Sequence, residues 1–309
     1  DPAFTGDELE KMPAEEFESA AVHGALFARV EPETKRKIIA TLKARGEYVA
    51  MVGDGVNDVP ALKEANMAVG KNDGAQIAKD VGDIVLLNNA MSTLPRAFHE
   101  GRAITQSIFA TSKIFLVKNV YSTLFFLFAG FMRLPFPISP IQISWVTFGI
   151  INIPAGLIAI RLLRPAFMKR FRADVLDYVL IAGFIGAAAM SFLYAFSYLT
   201  NGYDVDRSRS TIMIFIALYG LQVLWNVHGL YVTRFSTVMP RPRLFLGGII
   251  IAALTIIAPY LLPGLLEFSA PAGYEWGLAF VVYVFSALLI ELGVRRPHSL
   301  RGLWLLSRP

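Results

Sequence analysis

Apolar and polar positions fall into two regimes that meet near residue 98. Before it, short apolar runs alternate with amphipathic stretches. Ala25–Val30 is a strand-length run closed by Glu31-Pro32. Pro32 suits the first turn of a helix, where its missing N–H would be unpaired anyway. Glu33–Arg45 carries helical periodicity through Ile38, Ile39 and Leu42 and stops at Gly46. The pattern then predicts a strand at Tyr48–Val52, a helix at Val59–Ala65, a strand at Met67–Val69, a helix at Ala75–Val81 and a strand at Asp83–Leu87. Strand–helix alternation of this kind builds a parallel sheet covered by helices. Ser92–Lys113 has no proline after Pro95 and reads as a helical stalk.

Six apolar stretches follow: Ile114–Met132, Ile141–Ile160, Val175–Leu199, Thr211–Val232, Leu244–Leu262 and Trp276–Val294. Each is near the roughly 20 residues that cross a bilayer as a helix. Six in succession argue against buried helices of a water-soluble domain. The connectors give an orientation. Arg161, Arg164, Lys169, Arg170 and Arg172 share one side with Arg234, Arg241, Arg243, Arg295, Arg296, Arg301 and Arg308; the other side holds Arg133, Arg207 and Arg209. The positive-inside rule then predicts that residues 1–113 and the C-terminus are cytoplasmic. Tyr198, Tyr203, Tyr260, Tyr274 and Trp276 fall near the opposite boundary, as interfacial aromatics do.

Charge follows the same division. Residues 1–98 hold 11 Lys+Arg against 16 Asp+Glu, and residues 99–309 hold 18 against 8. The basic excess belongs to the apolar half, so it reads as loop charge and not as a nucleic-acid surface. The chain has no cysteine, which excludes disulfides and thiolate metal sites. It opens at Asp1 without a Met or a signal peptide, and the expectation is a fragment or a processed product.

The most informative string is Met51–Leu62, MVGDGVNDVPAL. A strand delivers Asp54 to a Gly-Asp-Gly turn, with Asn57 and Asp58 just beyond. Two carboxylates at a strand's C-terminal end suit Mg²⁺, which takes one or two protein oxygens and keeps its waters. Gly53 and Gly55 let backbone approach an anion. Parallel sheets bind ligands at this end of their strands. Lys35, near the start of the preceding helix, offers a compact charge for phosphate, although alone it reads as part of a solvated Lys-Arg-Lys run.

Together these strings resemble the P-type ATPase family, within the haloacid-dehalogenase-like superfamily. The matching residues are Phe27–Pro32 with Lys35, Gly53–Asp58 with Pro60-Ala61-Leu62, and Glu100–Ile104; Thr5-Gly6 and Glu8-Leu9 look like the run-up to them. The resemblance covers the whole chain. It implies a Rossmann-like, haloacid-dehalogenase-like α/β partial domain over residues 1–98, the end of a cytoplasmic phosphorylation domain. A stalk and an all-α bundle of six transmembrane helices follow over 99–309. It implies Asp54 and Asp58 as Mg²⁺ ligands, Asn57 and Asp58 orienting the metal and phosphoryl group, and Lys35 stabilising phosphoryl charge. ATP is then the substrate of the full-length protein. Its partners are a transported cation, the bilayer and upstream domains, with no nucleic acid. The family's phosphorylated aspartate stands in an Asp-Lys-Thr-Gly-Thr string that is not among these 309 residues. The expectation is that this chain alone does not hydrolyse ATP.

Six spans and no cysteine point to the branch that moves hard cations. Ion-path candidates are Asn119 and Ser122, three apart on one helix face, and Thr147, Ile150 and Asn152 in the second span. Pro154 frees the carbonyl near Ile150. Gln222 and Asn226 are one turn apart in the fourth span. Asn119, Ser122 and Thr147 read equally as helix–helix glue, Lys118 and Glu291 as snorkelling charges at helix ends, and His228 as a packed interior group. Calcium pumps of the family place acidic residues in the first two spans. This chain has Ser122 and Ile151 there, and no Asp or Glu in Ile114–Ile160. Similarity leans towards bacterial calcium or general cation pumps of the plasma membrane. A lipid-flipping P-type ATPase and a membrane-anchored Mg²⁺-dependent phosphatase are the alternatives.

Overall fold

The computed structural model describes residues 2–160, 162–163, 165–168, 170–238 and 241–294. Arg161, Arg164, Lys169, Arg295, Arg296, Arg301 and Arg308, used above for orientation, lie outside the described residues. The chain divides into two compact units, Asp1–Glu100 and Gly101–Pro309.

The first unit runs β1 (Ala3–Thr5), α1 (Gly6–Lys11), α2 (Ala14–His23), β2 (Leu26–Ala28), α3 (Pro32–Ala44), β3 (Ala50–Gly53), α4 (Val59–Glu64), β4 (Met67–Lys71), α5 (Gln76–Val81) and β5 (Ile84–Leu86). All strand pairings are parallel. β1 pairs with β2, placing Phe4 opposite Phe27. β3, β4 and β5 form a second sheet in that order, with Gly53 opposite Gly70 and Gly70 opposite Val85. The alternation read from the sequence therefore builds the parallel sheets it predicted. β1, α1 and α2 were not foreseen. The signal for α1 is a capping box: the Thr5 N–H donates to Glu8 Oε2 at 2.8 Å and the Glu8 N–H donates to Thr5 Oγ1 at 3.4 Å. Two small cores hold this unit. Leu9, Ala20, Ala21 and Ile38 pack under the first sheet, and Leu62, Ala68 and Ala78 under the second.

In the second unit the apolar stretches become six helices long and apolar enough to cross a membrane, making this an integral membrane protein. The first, α6 (Thr93–Phe131), has 39 residues, about 58 Å of helix, so stalk and first span are one element. α7 (Pro140–Thr147) and α8 (Ile153–Ala159) form the second span, joined by a π-helical turn at Phe148–Asn152. Pro154 sits at the start of α8 and forces this break, because it has no N–H to donate. The rest are α9 (Asp177–Thr200), α10 (Val205–Val227), the short α11 (Phe235–Val238), α12 (Pro242–Leu261) and α13 (Gly273–Val294). α10 starts earlier than its apolar stretch because Asp204 caps it, accepting from the Arg207 N–H at 3.0 Å. It ends at His228, where Gly229 turns the chain with φ +74°.

α10 is the hub. Its apolar window is 89% buried, against 22% for α12. α13 is fastened to it at both ends. At one end Arg207 Nε donates to Glu275 Oε2 at 2.7 Å, with Ser197 Oγ and the Ala272 N–H also donating to that carboxylate at 2.7 Å. At the other, buried Glu291 accepts from Gln222 Nε2 at 3.1 Å, from the amides of Val232 at 2.8 Å and Thr233 at 3.1 Å, and from the Thr233 hydroxyl. The snorkelling expected of Glu291 does not occur. The amides of Val232 and Thr233, in the chain beyond α10, hold the carboxylate inside.

Candidate functional site

Asp54 stands one residue beyond β3, at the C-terminal edge of the three-stranded sheet, and a 3₁₀ turn, Val56–Asp58, leads from it into α4. The turn folds Asp58 back under Asp54. Asp58 Oδ2 accepts from the amides of Asp54 at 3.3 Å and Gly55 at 3.4 Å, and Lys35 Nζ, from α3, reaches Asp58 Oδ1 at 2.8 Å. Burial pushes the Asp58 carboxyl up, but the Lys35 ammonium and the two amides outweigh it and hold the group below its ordinary range.

The sign of this shift gives a prediction. A depressed native pKa means that the unfolded chain binds more protons, so Asp58 contributes stability above its unfolded pKa that is lost as pH falls through the native one. Asp58→Asn removes this contribution. The fall in melting midpoint between about pH 5 and about pH 3 becomes shallower in the variant than in the parent.

The structure thus brings Lys35, Asp54 and Asp58 together. Asn57 is exposed on the same turn, and its side chain makes no hydrogen bond to another described residue. The two glycines divide their roles. A Cβ on Gly53 would lie 2.6 Å from Asp58 Cβ, so this glycine lets Asp58 tuck in; a Cβ on Gly55 would make only ordinary contacts, 3.8 Å from the Asn57 amide nitrogen and from Asp58 Oδ2. Lys71 and Gly74 were not read from the sequence. Lys71 Nζ lies 3.2 Å from Asp54 Oδ2. A Cβ on Gly74 would lie 2.6 Å from the Asp54 carbonyl oxygen, which accepts from the Ala75 N–H at 2.7 Å. Parallel register was the available signal: with Gly53 opposite Gly70, the next residues, Asp54 and Lys71, come side by side.

The donor set fits Mg²⁺. The Asp54 side chain is 55% exposed, and no three His, Cys, Asp or Glu side chains are grouped so as to hold a metal ion among the described residues. A site with one or two carboxylates and room for water is what Mg²⁺ takes, unlike the all-protein cage of a structural metal.

Four of the ion-path candidates fall into two groups. Ser122 and Thr147 line one cavity of about 10 Å³ with Lys118, Tyr121, Phe125 and Val146, the size of one water-sized sphere. The Ser122 hydroxyl donates to the Lys118 carbonyl within its own helix. Gln222 and Asn226 lie elsewhere, in a buried network. Gln222 Nε2 donates to Asn226 Oδ1 and to Glu291 at 3.1 Å each, Tyr283 donates to Gln222 Oε1 at 3.3 Å, and Asn226 Nδ2 donates to the Tyr178 hydroxyl at 3.1 Å. Both amides are engaged by protein. Ile150 is buried, packed where Gly220 has no side chain. Asn119 and Asn152 are exposed. His228 is buried, its Nδ1 2.8 Å from the Leu224 carbonyl oxygen.

A unit of parallel sheets covered by helices and a unit with six membrane-length helices define an integral membrane protein with an α/β domain. Residues 6–66 match the haloacid dehalogenase-like hydrolase family, and residues 135–295 match the family described as cation transporting ATPase, C-terminus. The chain belongs to the cation-transporting P-type ATPase family. It is 26% identical over 306 residues to the calcium-transporting ATPase lmo0841 of Listeria monocytogenes, covering 94% of this chain and 34% of that protein. It is 32% identical over 260 residues to the calcium-transporting ATPase CtpE of Mycobacterium bovis, covering 74% and 32%. It is 27% identical over 339 aligned positions to the sodium/potassium exporting P-type ATPase cta3 of Schizosaccharomyces pombe, covering 94% and 33%. The chain spans about a third of the length of these relatives.

Proposed function

We propose that this chain supplies part of the phosphoryl-handling site and six of the membrane helices of an ATP-driven hard-cation pump, with the sheet unit and C-terminus cytoplasmic. The observation that carries the reading is the Lys35–Asp58–Asp54 arrangement at the strand edge, in a chain that also holds six membrane-length helices. Asp54, exposed beyond β3, is the residue that would hold Mg²⁺, with Asp58 fixed behind it. Bound there, Mg²⁺ would neutralise charge on the transferring phosphoryl group. Lys35 fixes Asp58 and adds positive charge at the site, and Asn57, exposed on the same turn, would orient the phosphoryl oxygens. The aspartate that accepts the phosphoryl group, and the nucleotide site, come from other parts of the pump. Positioning and electrostatics of this kind make up most of the catalysis in phosphoryl transfer.

Calcium is the first candidate cargo, supported by the Listeria and mycobacterial relatives. A monovalent cation is the second reading. It is favoured by the lack of Asp and Glu in Ile114–Ile160, the presence of Lys118 in the Ser122–Thr147 cavity, and the fission-yeast relative. The test is phosphate release by the full-length protein across calcium, manganese, sodium and potassium. Stimulation by calcium alone supports the first reading, and stimulation by sodium or potassium alone moves the cargo to the second. Stimulation by phospholipid with no ion response sinks the cation pump.

A further inference from the structure

One end of the membrane unit contains a cavity that the phosphoryl chemistry does not use. It measures about 300 Å³ and lies among α6, α9, the ends of α10 and α13, and the connector at residues 165–168, at the lower end of the size range of small-molecule sites. The connector is pinned to α6 by Gln106, whose amide donates to the Met168 carbonyl at 2.8 Å and accepts from the Met168 N–H at 2.6 Å. One wall is therefore fixed.

Lys113 and two carboxylates, Asp174 and Asp177, line it, and Lys113 forms an ion pair with neither. Lys113 is 8% exposed, its ammonium 4.0 Å from the centre of the Tyr178 ring, and it has no hydrogen-bond or ion-pair partner among the described residues. A lysine so buried normally finds an acceptor, and the ring face satisfies charge but no N–H direction. Asp177 lines the same cavity, also without a hydrogen-bond or ion-pair partner among the described residues. Its place in the first turn of α9 suits a carboxylate, but that does not account for Lys113. Asp174, beside it, accepts from the Arg170 N–H at 2.9 Å. Phe167 and Ile181 make the apolar part of the wall.

We propose that this cavity binds the head group of a zwitterionic phospholipid bearing a primary ammonium. Lysine is a point-charge partner for a phosphate diester, and Asp177 accepts from the ammonium. The cavity lies where α9 begins and α10 and α13 end, the level at which head groups meet a membrane protein, and Phe167 and Ile181 face the apolar remainder of the lipid. A trimethylammonium head group has no N–H to give Asp177. An anionic glycerol head group leaves Asp177 without a cation.

The test uses the full-length protein in nanodiscs of phosphatidylcholine alone, or with phosphatidylethanolamine or phosphatidylglycerol added. The readout is melting midpoint, with lipid retention followed by native mass spectrometry. Phosphatidylethanolamine raises the midpoint by about 5 °C over either other lipid and is retained as a defined adduct. Lys113→Gln and Asp177→Asn each remove that increment and the adduct; if one variant does not fold, the other carries the test. Equal midpoints in all three lipids, or an increment that survives in a folded variant, overturn the proposal. Free phosphoethanolamine giving the same shift in lipid-free detergent overturns the lipid source. ATPase stimulation by cations does not enter either readout, so the pump reading stands or falls separately.

Discussion

On the proposed pump reading, the full-length protein carrying Asp54→Ala forms less than about a hundredth of the parental Mg²⁺-dependent phosphoenzyme. Asp54 is the more exposed carboxylate at the strand edge, with Lys71 on one oxygen only, whereas Asp58 is taken up by Lys35 and two amides. Removing Asp54 therefore removes the exposed anionic oxygen of the site. Loss of a group that fixes developing charge costs about 10²–10³ in rate, and loss of the ion costs several kcal/mol more of charge stabilisation. Asp54→Asn keeps one oxygen of the same reach and falls between parent and alanine variant. The check is acid-stable labelling from γ-labelled ATP across a Mg²⁺ series. Labelling of Asp54→Ala at the parental level and the parental Mg²⁺ dependence takes Asp54 out of the mechanism.

The second large effect is on stability. Glu291→Ala strips the acceptor from the Gln222 amide, the backbone N–H groups of Val232 and Thr233, and the Thr233 hydroxyl. Leaving buried donors without an acceptor, beside a cavity the size of the lost side chain, costs about 3–5 kcal/mol. The midpoint of thermal unfolding in detergent falls by roughly 10 °C. Glu291→Gln retains one oxygen but turns an NH₂ group towards donors, and its loss is intermediate. A carboxylate that merely reached out to water would tolerate alanine within about 0.5 kcal/mol, so an unchanged midpoint rejects the buried clamp.

Much of this was legible in local pattern. Ile38, Ile39 and Leu42 mark α3, and the Gly-Asp-Gly string marks the end of β3, because periodicity and turn chemistry are properties of neighbouring residues. Pairings across the fold were less legible. Lys71 carries no local signal, and only parallel register sets it beside Asp54. Glu291 reads as a helix-end charge until the chain after α10 brings two amides to it. Asn119 and Ser122 share a helix face by spacing, yet Asn119 is exposed and Ser122 buried, because neighbouring helices cover only one edge of that face.

The Arg207–Glu275 contact has a consequence for biogenesis. Its partners are separated by 68 positions in the chain, and at ordinary synthesis rates that is a delay of about 3 to 14 seconds. Throughout it, the guanidinium at the head of α10 waits in the translocon or the lipid head-group zone for a carboxylate the ribosome has not yet made. A nascent chain stalled before Gly273 therefore leaves the Arg207 guanidinium without this carboxylate.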